Sequence, residues 1–297
     1  MATNFAELKR QRNKDLQKLT AEVTKVSGGE KKSYEDTRFW KPSVDKAGNG
    51  YAVIRFLPSP AGEDMPWVQL WSHAFQGPTG KWYIENSLTT INQNDPVSEY
   101  NSKLWNSGNE SDKDLARKQK RRLSYIANIL VIKDPANPEN EGEVKLFKFG
   151  KKIFDKLNDQ MNPEFEDETP INPFDLWEGA NFKLKIRNVE GYRNYDKSEF
   201  DTPAPASEAD DDLERIWSEE FSLREFISAE NFKTYAELES RLNMILGLST
   251  NDNAATYSVE ESIEEPAEKS TAESSDPWSD SNDDDDGLTY FEKLAEA

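Results

Sequence analysis

Tyr51-Ala52-Val53-Ile54-Arg55-Phe56-Leu57 alternates with a period of two and is stopped by Pro58 and Pro60, which reads as a β-strand ended by residues that cannot continue a ladder. Two more runs of this kind follow, Trp67 to Phe75 and Lys81 to Glu85, with Pro78-Thr79-Gly80 between them as a turn, so the three form a meander. Residues 86 to 116 are polar and irregular. They lead into Leu123 to Lys133, the longest apolar strand candidate, after which Pro135, Pro138 and Gly142 mark a loop before a paired strand at Val144 to Phe149. Gly150-Lys151-Lys152 opens a short helix with Ile153, Phe154 and Leu157 on one side. Asn181 to Val189 alternates again, with Phe182, Leu184 and Ile186 on one face and Lys183, Lys185 and Arg187 on the other. A strand with one wholly cationic face suits a phosphate binder. The chain is therefore predicted to be mainly β with flanking helices, an α+β protein.

The flanks differ in kind. Residues 4 to 26 read as an amphipathic helix, with Leu8, Leu16, Leu19 and Val23 near one stripe, Lys9, Arg10, Arg12, Lys14 and Lys18 off it, and Gly28-Gly29 at its end. Beyond residue 205 the pattern is helical, with Leu213, Ile216 and Trp217 in one segment and Phe232, Tyr235, Leu238, Leu242 and Ile245 in the next, closed by Gly247. After Leu248 the composition is that of a disordered segment, except that Leu288, Phe291 and Leu294 follow the Asp283 to Asp286 run at three-residue spacing and could present an apolar ridge to a partner. We divide the 297 residues into a basic arm (1–40), a core (41–205), a helical segment packing on it (206–248) and an acidic tail (249–297).

Charge is sorted along this plan. Residues 1 to 200 carry 30 acidic and 31 basic side chains, and the remainder 27 and 6. The net charge of −20 thus belongs to the C-terminal third and does not argue against a polyanionic partner for the core. The absence of cysteine excludes disulfides and thiolate metal sites. No apolar run approaches the roughly 18 residues of a membrane span, and no signal-peptide stretch is present, so a soluble cytoplasmic protein is expected.

The strongest local chemistry is Arg117-Lys118-Gln119-Lys120-Arg121-Arg122 running into Ser124-Tyr125, because cations track a phosphate backbone while rings stack on unpaired bases. Phe147, Lys148, Lys151 and Lys152 past the partner strand, and Tyr192, Arg193 and Tyr195 after the cationic strand, repeat the combination. Trp71, Phe75, Trp82, Trp177 and Phe182 are assigned to packing. No zinc finger, basic zipper or groove-reading string occurs, which favours single-stranded nucleic acid. Enzymatic readings fare poorly: His73 is the one histidine, and neither a Walker loop nor a dinucleotide fingerprint is found. The four aspartates lack the glycine and spaced glutamate of a calcium loop.

Several strings occur together and in order: Ala52-Val53-Ile54-Arg55-Phe56-Leu57-Pro58-Ser59, Gly80-Lys81-Trp82-Tyr83-Ile84-Glu85, Ala127 to Pro135, Pro138-Glu139-Asn140-Glu141-Gly142, Phe149-Gly150-Lys151-Lys152-Ile153, and Trp177-Glu178-Gly179-Ala180-Asn181-Phe182. Over residues 40 to 200 the chain resembles the single-stranded DNA-binding proteins of T4-type bacteriophages. The resemblance implies an OB-fold core whose cleft holds single-stranded DNA, with cleft residues falling on Arg55, Lys120, Arg121, Arg122, Tyr125, Phe147, Lys151, Lys152, Tyr192 and Tyr195. It also implies an arm for head-to-tail cooperative self-association, here Lys9, Arg10 and Arg12, and an acidic tail that competes with DNA for the cleft. Through Leu288, Phe291 and Leu294 that tail would recruit phage proteins such as polymerase, helicase loader and recombination mediator.

The family carries a structural zinc on one histidine and three cysteines, in the region corresponding to 67–116. Here His73 matches the histidine, but the cysteine positions read Ser87, Asp95 and Ser98, a set unable to replace three thiolates. Zinc and other cofactors are expected to be absent, with Trp82, Leu88, Ile91, Tyr100 and Trp105 holding residues 86 to 116 instead. Ile126 stands where the family can have a tryptophan, and Lys9-Arg10-Gln11-Arg12-Asn13 departs from its short Lys/Arg-Ser/Thr string. The expected function is non-enzymatic, sequence-tolerant coating of single-stranded DNA in replication, recombination and repair, in the cytoplasm of the infected bacterium. The alternatives are an adaptor displaying an acidic tail and an RNA-binding OB-fold protein.

Overall fold

The computed structural model describes residues 36–248 apart from Glu166 and Glu190; the arm with Lys9, Arg10 and Arg12 and the tail with Leu288, Phe291 and Leu294 lie outside the described residues. In chain order the elements are β1 (Phe39–Trp40), β2 (Gly50–Phe56), β3 (Trp67–Gln76), β4 (Trp82–Asn86), α1 (Pro96–Trp105), α2 (Glu110–Lys118), β5 (Arg122–Lys133), β6 (Val144–Phe149), α3 (Lys151–Met161), β7 (Phe182–Val189), β8 (Tyr192–Asn194), β9 (Glu199–Phe200), α4 (Asp210–Ser218) and α5 (Tyr235–Leu246). The α+β reading holds.

The organising strand is β5. One edge pairs with β6 throughout its middle, while the other changes partner: β3 takes Arg122 to Ala127 and β2 takes Ile129 to Lys133. A strand of 12 residues can accommodate two shorter neighbours end to end. Beyond β2 the sheet continues to β7 and β8, and β1 adds a short parallel strand outside β6. Because both faces of β5 are covered, its sequence reads as an almost unbroken apolar run. One face buries Ala127, Ile129 and Val131 with Ile54, Phe56, Phe149 and Leu184 under Ile153 and Leu157 of α3. On the other, Leu57 and Leu130 meet Leu213 and Ile216 of α4, and Ile126 and Leu146 meet Leu223.

A second core unites Phe75, Tyr83, Leu88 and Val97 with Leu238, Leu242 and Ile245 of α5. Helix α5 starts with a capping box between Thr234 and Glu237 and ends at Gly247, whose φ of 73° is the left-handed conformation glycine adopts freely. The predicted irregular stretch 86 to 116 instead contains α1 and all but the last two residues of α2. Their apolar periodicity is weak and their ends are strong: Asp95 caps α1 ahead of Pro96, Asn109 caps α2, and α2 runs from Glu110 and Asp112 to Arg117 and Lys118 along its dipole. Leu88, Ile91 and Tyr100 join the second core as expected. Trp105 has another position, under the cations of Lys113 and Arg117 at 6.0 and 5.3 Å.

Candidate nucleic-acid interface

Antiparallel pairing sets Tyr125 opposite Phe149, so the start of β5 and the end of β6 lie side by side. Lys120, Arg121 and Arg122 are thereby brought to the same end of the sheet as Lys151 and Lys152, which open α3. The first three are half-buried and the two lysines exposed. Arg121 lies 4.2 Å from the ring centre of Trp71, a cation–π contact that fixes the guanidinium against an aromatic face; Trp71 was assigned to packing alone. Lys151 pairs with Asp155 one turn later at 3.2 Å. Just before the cations, the backbone carbonyl of Gln119 accepts the side-chain amide of Asn101 at 3.0 Å and lies 3.0 Å from Nδ1 of His73. This buried clamp fixes the chain immediately before Lys120. On β6, burial lowers the half-buried Lys148 ammonium to about 8.

The rings divide by exposure. Tyr192 is 59% exposed, whereas Tyr125, Phe147 and Tyr195 are in the main core. Tyr125 stacks on Phe154 of α3 at 3.9 Å between centroids. Inward-facing positions on β5 and β6 account for Tyr125 and Phe147: the strand period that places Ala127 and Phe149 inside places these rings inside too. Tyr192, on the β7–β8 hairpin, belongs by register to the far end of β5, and Lys156 Nζ donates to the Asp196 carbonyl at 3.3 Å, joining the segment after β8 to α3.

The cationic face of β7 differs from its sequence reading. Lys183 pairs with Asp201 at 2.8 Å, Lys185 with Glu199 at 2.6 Å, and Arg187 with Asp196. Each cation has a carboxylate from the returning chain, so the face is a row of ion pairs and not a bare phosphate track.

Arg55, expected in the cleft, is fully buried. Its Nη2 donates to the Asp175 carbonyl at 2.6 Å, while Nε and Nη1 have no partner among the described residues. Burial lowers the guanidinium to about 10, partly offset by the charge of Asp175. The same loop is tied from within, because the Asp175 carboxylate accepts the backbone N–H groups of Trp177 and Glu178 at 2.8 and 2.7 Å. Gly179 completes it: a Cβ there would stand 2.4 Å from the Asp175 carbonyl and 2.8 Å from Arg55 Nη2. Arg55 thus anchors from beneath a loop on which Trp177 is 58% exposed. The packing assignment of Trp177 is corrected; the run of Asn, Pro, Asp and Gly around it was the available turn signal.

In the second core, Nε2 of His73 lies 3.3 Å from Asp95 Oδ1, both buried. Burial pushes the Asp95 carboxyl up, but His73 and the N–H groups of Ser98 and Leu88 outweigh it and hold it down to about 2. The carboxylate also caps α1 through Val97 and Ser98, and Ser87 Oγ accepts the Thr89 N–H. The residues at the zinc positions do not fit a structural zinc: two are neutral hydroxyls, the carboxylate is committed to backbone donors, and the described residues contain no cluster of three metal-ligating side chains.

Basic strand ends beside an aromatic core describe a nucleic-acid-binding module. Residues 48–246 match the family model of gp32 DNA binding protein-like chains, and this chain belongs to that family. It is 41% identical over 251 residues to the single-stranded DNA-binding protein of Enterobacteria phage T4 and over 252 residues to that of phage T2, with 82% of each chain covered in both cases. A shorter relative from Escherichia phage SV14, also named a single-stranded DNA-binding protein, is 43% identical over 104 residues, 33% of this chain and 91% of its own.

Proposed function

We propose that this chain is a non-enzymatic, sequence-tolerant single-stranded DNA-binding protein of a T4-type phage, acting inside the infected bacterium. The observation that carries the reading is the convergence of Lys120, Arg121 and Arg122 with Lys151 and Lys152 at one end of the sheet, in a member of a DNA-binding family. Cations at that end neutralise phosphates, and Tyr192 offers an exposed ring to a base. Arg55, Tyr125, Phe147 and Tyr195 support this surface from beneath. The sheet is an OB-type core that works without zinc. Lys9, Arg10 and Arg12 on the arm join neighbouring copies head to tail along DNA. The tail after Leu248 competes for the cationic surface and, once displaced, offers Leu288, Phe291 and Leu294 to replication and recombination proteins.

The test is titration of oligo-dT into the full-length protein and into a form ending at Leu248, following tryptophan and tyrosine fluorescence at two salt concentrations. Salt-sensitive quenching, tighter in the shortened form, supports both the surface and the competing tail. Absence of binding by either would dismiss the DNA reading and leave an adaptor. Competition by oligo-U separates DNA from RNA preference, and metal analysis of purified protein decides the zinc: stoichiometric zinc would overturn its absence.

A further inference from the structure

Where β5 changes partner, the end of β2 and the start of β3 diverge, and between them opens a cleft of about 390 Å³. Pro58 and Ser59 form one side, Pro66 and Trp67 the other, and the loop from Asn172 to Trp177 the third. Its volume lies in the range of about 300–1,000 Å³ usual for small-molecule sites. The aromatic wall of the cleft continues inward into the main core: Trp67 meets Phe174 at 5.2 Å and Phe154 at 5.5 Å, and Phe154 is the ring that stacks on Tyr125.

The electrostatics exclude a phosphate. Among the described residues no Lys or Arg lines the cleft, Asp175 does, and Met161, the last residue of α3, brings the negative end of that helix to the wall. What fits is a flat, uncharged ring able to stack and to hydrogen-bond at its edge. We infer that this cleft takes one unpaired nucleobase of a bound single strand, with Trp177 as its stacking platform. The inference rests on the single-stranded DNA reading. Placement agrees with it: Trp67 pairs with Ala127, five residues along β5 from Arg122, about 17 Å at strand rise. A strand whose phosphates engage Lys120 to Arg122 would therefore extend only a few nucleotides to reach it. The buried Arg55 and Gly179, with Asp175, anchor the backbone that carries Trp177, so little backbone ordering is lost on binding.

The experiment compares full-length wild type with Trp177→Ala and Trp177→Phe for oligo-dT binding by fluorescence anisotropy across a salt series. Stacking predicts about a 5- to 150-fold weakening for Trp177→Ala, substantial recovery in Trp177→Phe, and an unchanged slope of affinity against salt because no cation is removed. Trp177→Ala with wild-type affinity and an unaltered circular dichroism spectrum would overturn the subsite while wild-type binding leaves the DNA reading standing. A weakening accompanied by a shallower salt slope would also overturn it, since that marks a disturbed cationic surface. If wild type itself fails to bind oligo-dT, it is the underlying DNA reading that falls.

Discussion

Asp95 shows how one residue can take over several duties. It caps α1, accepts the Leu88 N–H and faces His73, and its carboxyl is held down to about 2 against a usual 3.8. A carboxyl lowered on folding stabilises above its unfolded value and loses that contribution as pH falls through its folded value. Asp95→Ala is expected to cost about 2–4 kcal/mol at pH 7 by urea unfolding, and the gap to wild type should narrow between about pH 4 and pH 2. A gap independent of pH would remove the carboxylate from the explanation. Lys148 behaves oppositely. Its folded value of about 8 lies below the usual 10.5, so burial penalises the charged form fully below about pH 8 and not at all by about pH 10.5. Lys148→Met should stabilise by about 1–3 kcal/mol at pH 7, an advantage that fades as pH rises across that window in thermal melts.

At the scale of elements, β2 to β7 were legible because two-fold alternation bounded by Pro and Gly is a strong signal, and Leu123 to Lys133 stood out by length. Helices α1 and α2 were missed because their few apolar residues hide the helical period, although Asp95-Pro96 and Asn109-Glu110 announce both starts. Depth was the weaker part of the reading: a tyrosine on a strand looks the same whether it faces in or out, so the core positions of Tyr125 and Tyr195 and the exposure of Trp177 could be decided only by packing. This separates two substitutions. Tyr192→Ala should weaken oligo-dT binding by about 1–3 kcal/mol with little change in melting, while Tyr125→Ala, stacked on Phe154, should lose about 3–5 kcal/mol of stability in denaturant titration. Equal effects of both on binding alone would contradict the assignment of Tyr125 to the core. Neutralising Lys120, Arg121 or Arg122 singly should lower the slope of log affinity against log salt by about one; an unchanged slope for all three would place the phosphates elsewhere.

For the whole molecule, charge sorting matters more than net charge. The near-neutral first 200 residues coexist with a strongly acidic remainder, so any attraction between tail and cationic surface is electrostatic and screened over about 8–10 Å at physiological salt. The affinity advantage of a form ending at Leu248 should accordingly shrink as salt is raised, measured by the same oligo-dT titration; an advantage constant with salt would point to a non-electrostatic obstruction. The core was legible because its residues carry pattern. The cleft between β2 and β3 was not, since it arises from two strands ending against a third and no single segment records it.

The paired row along β7 has a consequence for traffic across the surface. Lys183, Lys185 and Arg187 each face a carboxylate from residues 196 to 201, so a polyanion arriving on that flank meets charges already claimed. The row works as a kerb for the proposed binding: the strand face of β7 gives a phosphate backbone no bare cationic track, whereas Tyr192 past its end stays exposed to a base.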